Sequence, residues 1–289
     1  REFSLLVPRT FLARIRTGDP DDPLLAQVLP SEAELNHVGG FTADPLGETH
    51  AVDAPGLLRK YANRSLMVTT GRCGVHCRFC FRRHFGFPAQ PETPRYPKLA
   101  ILAIAADPSI HEVILSGGDP ITLDDDILRE LTSQISQIPH ISRLRVHTRL
   151  PILVPQRVTD GLLSCLSGGT LPSFLVVHVN HPAEIDRHVA HALGRLVDAG
   201  VPVLSQSVLL RGVNDRIEVL AELFERLVDL RVMPYYLHQL DRVAGAAHFE
   251  VPEEEGVRLV KQLRAQLPGY AVPRYVREIA GAANKVSLA

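Results

Sequence analysis

Long apolar runs, an excess of one charge, and abundant cysteine are all missing from this chain, and each shortage removes a class of protein. No hydrophobic stretch approaches the roughly 18 to 20 residues that a membrane-spanning helix needs. The amino terminus has no charged-then-apolar leader pattern. Lysine and arginine number 31 against 32 aspartate and glutamate, so no basic footprint for nucleic acid stands out. Four cysteines in 289 residues lie far below the density of a disulfide-stapled secreted domain. No dinucleotide-binding glycine fingerprint and no low-complexity segment appear. What remains is a globular chain without a membrane or nucleic-acid partner, long enough for one large domain or two small ones. It begins at Arg1 without a methionine, which reads as a trimmed or partial chain.

Three of the four cysteines sit together. Cys73, Cys77 and Cys80 occupy TTGRCGVHCRFCFRRHF with the spacing Cys-x3-Cys-x2-Cys. A four-iron cluster takes one ligand per iron, usually a thiolate. Three ligands leave one iron open to bind a small molecule, which points to chemistry at a cluster rather than electron storage. A structural zinc site is the alternative, with His76 or His84 completing a tetrahedron. Cys165, in the apolar stretch GLLSCLSG, reads as a core residue, since free cysteine packs as a small hydrophobe. Exposed cluster thiolates would be oxidised outside a reducing compartment, so the cytoplasm is the expected location.

Apolar, β-branched runs recur at 64–70, 111–117, 143–149, 174–180, 202–210 and 231–240. From the second onward they start about every 30 residues, the length of one strand-helix unit. Helical patterns fill the spaces at 123–138, 184–200 and 216–230; the last puts Ile217, Leu220, Leu223, Phe224 and Leu227 on one face. Alternation of this kind implies an α/β fold with a parallel sheet buried on both faces. Six units predict an incomplete (β/α)6 barrel, with chemistry at the carboxyl ends of the strands. The cysteine loop directly follows the first strand and so falls at that rim. Residues 1–60, rich in proline and acidic turns, read as a layer of short helical pieces wrapped on the core. The core spans 61–240, and 241–289 forms an extension with a helix at PEEEGVRLVKQLRAQL, acidic in its first turn as the helix dipole prefers.

After the second strand comes LSGGDP, with Ser116, Gly117, Gly118 and Asp119. Taken alone this is as readily a tight turn as a place where a ligand approaches the backbone. Joined to the three cysteines, it resembles the radical S-adenosylmethionine enzymes, in which the cysteines hold a [4Fe-4S] cluster and the glycine motif receives the methionyl amino group. RKYANR, SGGDP, HVNHP, QSVLLRGVND, MPYYLHQLD and a late lysine are together similar to the lysine 2,3-aminomutases over most of 56–289. FRRHFGF, YYLHQLDRVAGAAHFEV, REIAGAANK and the segment VPRTFLARIRTGDPDDPLLAQVLP resemble the short bacterial branch that supplies (R)-β-lysine for modification of elongation factor P.

The resemblance implies a radical SAM barrel and an isomerase that moves the α-amino group of L-lysine to the neighbouring carbon. Breaking an unactivated C–H bond calls for a 5′-deoxyadenosyl radical, made from S-adenosylmethionine at the open iron with an external reductant. Nitrogen migration calls for pyridoxal phosphate in an aldimine. The resemblance assigns that aldimine to Lys285, which composition alone would make a solvated charge. It gives the cofactor phosphate to Lys60, Tyr61 and Arg64, a basic-aromatic cluster just before the first strand, where a surface basic turn is the plain alternative for Lys60. Arg82 would pair with the substrate α-carboxylate as a planar fork, and Asp241 and Glu278 would hold the ε-ammonium. His178 and Gln206 would contact S-adenosylmethionine, where a core histidine is the plain alternative. Lys60 stands where these enzymes can carry arginine, Glu278 where they can carry aspartate, and GAANK replaces a longer glycine run. An aminomutase for another amino acid, such as glutamate, and a non-catalytic iron–sulfur protein are the competing readings. Homo-oligomerisation is left open.

Overall fold

The computed structural model describes residues 3–86 and 95–289; Phe87 of the FRRHFGF motif lies outside the described residues. Among the described residues ten strands form one sheet in sequential order. They are β1 (Val52–Ala54), β2 (Leu57–Tyr61), β3 (Arg64–Thr70), β4 (Glu112–Gly117), β5 (Arg143–Thr148), β6 (Ser173–His178), β7 (Val203–Val208), β8 (Met233–His238), β9 (Arg274–Arg277) and β10 (Val286–Ser287). β3 through β9 pair in parallel, while β1, β2 and β10 add antiparallel edges. All six anticipated strands are present, and β9 extends the parallel set to seven. The region before residue 61 departs from the expected helical layer. Short helices cover Arg9–Leu12 and Pro23–Ala26, but 52–61 forms strands. Lys60 and Tyr61 therefore lie on a hairpin strand paired with β3, not in a turn.

Side-chain alternation explains how such strands build both a core and a site. On β5, Leu144 and Val146 are buried and join Leu128, Leu131 and Ile135 of the helix Asp125–Ser136 in one apolar cluster. Each buried leucine contributes roughly 2 kcal/mol. Their neighbours Arg143, Arg145 and His147 point to the opposite face, as period-two geometry requires, and line an interior cavity. The helix Ile217–Asp229 buries Leu220, Leu223, Phe224 and Leu227 completely, with Ile217 packed partly against the cluster. The helix Glu253–Gln266 forms as expected and carries three glutamates in its first turn. Cys165 is 6% exposed on the helix Asp160–Ser167, as its apolar surroundings predict. No helix among the described residues is long and apolar enough to cross a membrane.

Candidate active site

A cavity of about 650 Å³ runs along the inner face of the sheet, from Glu112, Arg143 and Arg145 at one end to the cysteine loop at the other. That is within the usual range for a small-molecule site. From the strand rim, where the fold predicts chemistry, the space extends down the interior, because charged and aromatic side chains replace the packed layers of a closed barrel. Its wall brings together every residue that the resemblance assigns to the cluster, the cofactors or the substrate. Cys73, Cys77 and Cys80 line it with Ser116, Gly117, Gly118, Asp119, His178 and Gln206, and so do Lys60, Tyr61, Arg64, Arg82, Asp241, Glu278 and Lys285.

The three cysteines share the loop after β3, held by the buried side chains of Val75 and Phe79. Burial and the neighbouring thiols push the Cys73 thiol up, and burial with Cys77 pushes Cys80 up to about 11. Cysteines crowded together in this way ligate as thiolates when a metal centre supplies the opposing charge. The histidines of the zinc alternative are engaged elsewhere. His76 Nδ1 bonds the Ser4 carbonyl at 2.8 Å with its ring stacked on Phe3, and His84 Nε2 donates to the Ala244 carbonyl at 3.0 Å. No three His, Cys, Asp or Glu among the described residues converge on a single ion. A cluster does not need such convergence, because each thiolate binds its own iron.

The glycines of SGGDP serve the chain's own packing. Gly117 has φ +114, and a Cβ there would lie 2.8 Å from the Thr70 carbonyl. That close approach is by the backbone at the end of β3, and Gly117 and Gly118 also line the cavity. Asp119 accepts from Thr148 Oγ1 and the Arg149 backbone, both at 2.7 Å, and from Leu150 and Ile121. Its carboxylate thus ties the end of β4 to the end of β5. His178 and Gln206 are register partners on β6 and β7. His178 donates from Nε2 to Asn180 at 3.1 Å, and burial with the nearby Arg149 pushes its pKa down to about 3, leaving a neutral ring.

Five side chains form an alternating line of charge along one wall: Arg82, Glu48, Lys60, Glu278 and Lys285. Arg82 holds Glu48 with Nε at 2.6 Å and Nη2 at 2.8 Å. Lys60 reaches Glu48 at 3.1 Å and also pairs with Glu278, which in turn pairs with Lys285. Burial opposes ionisation of Glu278, but Lys285 and Lys60 outweigh it and hold its pKa near 2. Glu48 was not anticipated from the sequence. Its carboxylate closes the Arg82 fork that the resemblance gives to substrate, leaving Nη1, which faces Ser116 Oγ at 3.3 Å and the Gly117 carbonyl at 3.4 Å.

Asp241 stands beside this line, and burial together with Glu278 pushes its pKa up to about 7. The folded protein therefore favours the protonated form. Stability is fullest below the ordinary aspartate range, declines as pH rises, and is lowest above about 7. Asp241→Asn should raise the melting temperature of the cofactor-free protein at pH 8, with the gain shrinking towards pH 4. Thermal denaturation across that range checks it; a gain independent of pH contradicts the ionisation account.

Comparison with known proteins places this geometry. A radical SAM superfamily profile matches residues 67–160, the stretch that carries the cysteine loop and SGGDP. The L-lysine 2,3-aminomutase of Escherichia coli (strain K12) is 48% identical over 99% of this chain and 83% of its own length. The chain belongs to the lysine 2,3-aminomutase family. The Haemophilus influenzae enzyme of the same name is 46% identical over 98% of the chain and 84% of its own length. That of Clostridium subterminale is 39% identical over 99% and 68%. A radical SAM methyltransferase from Sphaerobacter thermophilus shares the fold, with TM-score 0.54 at 21% identity over 81% of this chain and 73% of that one. This aminomutase is thus an isomerase on a radical SAM fold, and its cofactors are a [4Fe-4S] cluster, S-adenosylmethionine and pyridoxal phosphate.

The cavity fits these groups. Arg145 Nε is buried there without a hydrogen-bond partner, in a cavity that also holds Lys60, Arg64 and the Tyr61 hydroxyl, which faces Glu278. An orphaned donor in a basic pocket is what a phosphate satisfies. Arg145, Arg149, His147 and His238 also line the cavity and were missed in the sequence. Their alternation on strands or at strand ends was visible, but which face turned inward was not.

Proposed function

We propose that this aminomutase converts L-lysine to (R)-β-lysine, and that the product serves modification of elongation factor P. The observation that carries the substrate assignment is the charge layout of one cavity, with a guanidinium beside the cysteine loop and two carboxylates, Asp241 and Glu278, around Lys285. Lysine has the matching order of charge, a carboxylate at one end and an ammonium at the other. With Lys285 committed to the cofactor and Lys60 to its phosphate, a glutamate side chain would meet the two released carboxylates and be repelled.

On this reading Cys73, Cys77 and Cys80 hold the cluster, and Ser116, His178 and Gln206 face S-adenosylmethionine. Lys60, Tyr61 and Arg64, with Arg145, hold the phosphate of pyridoxal phosphate, whose aldehyde Lys285 anchors. When bound, the three groups supply a carbon-centred radical and a π-system that lets nitrogen migrate. The protein's own part is placement and charge. Arg82 is fixed by Glu48 and by the Phe81 ring, 4.7 Å from the guanidinium carbon, so it meets the α-carboxylate in one orientation. Glu278 stays ionised and Asp241 becomes so when an ammonium arrives. His178 and His238, both pushed down to about 3 by burial and nearby cations, add no positive charge near the radical.

Incubating the anaerobically loaded enzyme separately with lysine and glutamate tests the reading. β-Lysine should form from lysine, with no rearrangement of glutamate. Rearranged glutamate with lysine left intact would overturn it.

A further inference from the structure

We propose that Arg149 tunes the reduction potential of the cluster through an N–H···S hydrogen bond to Cys77. The inference rests on the assignment of Cys77 as a cluster ligand made above. Arg149 Nη1 donates to Cys77 Sγ at 2.8 Å, and its side chain is 6% exposed. Nη2 donates to Gln27 Oε1 at 2.6 Å and to Glu184 Oε2 at 3.0 Å. The Arg149 backbone N–H is fixed by Asp119.

Glu184 is itself fully buried. It accepts from Gln27 Nε2 at 3.1 Å and from the backbone N–H groups of Asn180 and His181 at 3.0 and 3.1 Å. The guanidinium is therefore clamped from behind by an acid with its own hydrogen-bond set. The rings of Phe79 and Phe11 lie 5.6 and 5.7 Å from its central carbon and cover the guanidinium. Three separate parts of the fold converge to hold one cation against one sulfur: the N-terminal layer through Gln27, the segment after β6 through Glu184, and the end of β5 through Arg149. Burying an ion pair costs desolvation that an apolar pair would avoid, and none of the substrate-binding roles above uses this arginine.

The physical consequence has a definite sign. Reduction takes one electron from a low-potential donor, converting [4Fe-4S]2+ to [4Fe-4S]+ with no bond made or broken. It adds one negative charge beside the thiolates. A fixed cation and an N–H donor at a ligand sulfur stabilise the more negative state and raise the potential.

The test uses the full chain reconstituted anaerobically, with dithionite titration followed by electron paramagnetic resonance. Two variants are compared, Arg149→Lys and the double change Arg149→Met with Glu184→Gln, which avoids leaving a buried charge unpaired. With iron retained at about four per chain, both midpoints should move to more negative values. The double variant should lose at least about tenfold in the reduction equilibrium, which is 59 mV for one electron. Lysine should lose less, because it keeps the charge but not the fork. Wild-type potentials in both iron-loaded variants would overturn the proposal. So would unchanged potentials with weakened S-adenosylmethionine binding, which would assign Arg149 to that ligand through its buried, unpartnered Nε. Full iron content in Cys77→Ala would instead remove the ligand assignment on which the proposal rests.

Discussion

Alanine at Cys73, Cys77 or Cys80 should bring bound iron from about four per chain to background and abolish turnover. Each cysteine supplies the only protein ligand to its iron under the three-ligand scheme, so no neighbour compensates. The loop itself should persist in these variants. Its packing comes from Val75 and Phe79, both buried at 4% exposure, and from backbone bonds such as Arg78 N–H to the Gln27 carbonyl at 2.9 Å. Cys165→Ala is the internal control. Its thiol donates to the Asp125 carbonyl at 3.3 Å inside the helical layer, so its loss should cost about 1 kcal/mol of stability and leave iron untouched. Iron and sulfide assays on the four purified proteins decide the point. Iron retained in any of the three loop variants would place the cluster elsewhere.

Lys285→Ala should eliminate the visible absorbance of bound pyridoxal phosphate and lower turnover at least about a thousandfold, the scale of losing a covalent or acid–base participant. Lys285 lies on the tail between β9 and β10, with its ammonium on Glu278. In this arrangement Glu278 is neutralised by two lysines of the protein itself. Lys285→Arg separates chemistry from charge, because a guanidinium keeps the ion pair but does not condense with an aldehyde at neutral pH. Both variants should lose the absorbance. Arginine that retained it would move the cofactor's covalent anchor to another residue.

Much of this was legible before any coordinates. The βα period located the strands, because alternate apolar positions such as Leu144 and Val146 must face the helices. The cysteine spacing located the loop at a strand end. What sequence did not reveal were partnerships across long separations. Glu48 meets Arg82 across 34 residues, and Arg149 meets Cys77 across 72; no local pattern encodes either. β2 escaped notice because RKYANR carries the polar residues of a turn, and its strand character comes from pairing with β3. β9 is four residues long and shows too little alternation to register. At SGGDP the need for missing side chains was legible, but not that the Thr70 carbonyl of the same chain is one of the close neighbours.

If one cavity loads a cluster, S-adenosylmethionine and pyridoxal phosphate to rearrange lysine, product analysis of the anaerobically reconstituted enzyme incubated with lysine and a reductant, with each cofactor omitted in turn, decides it. β-Lysine should appear with all three present and vanish when any one is withheld. Fully loaded protein that forms no β-lysine, or metal analysis finding zinc in place of iron, would contradict it.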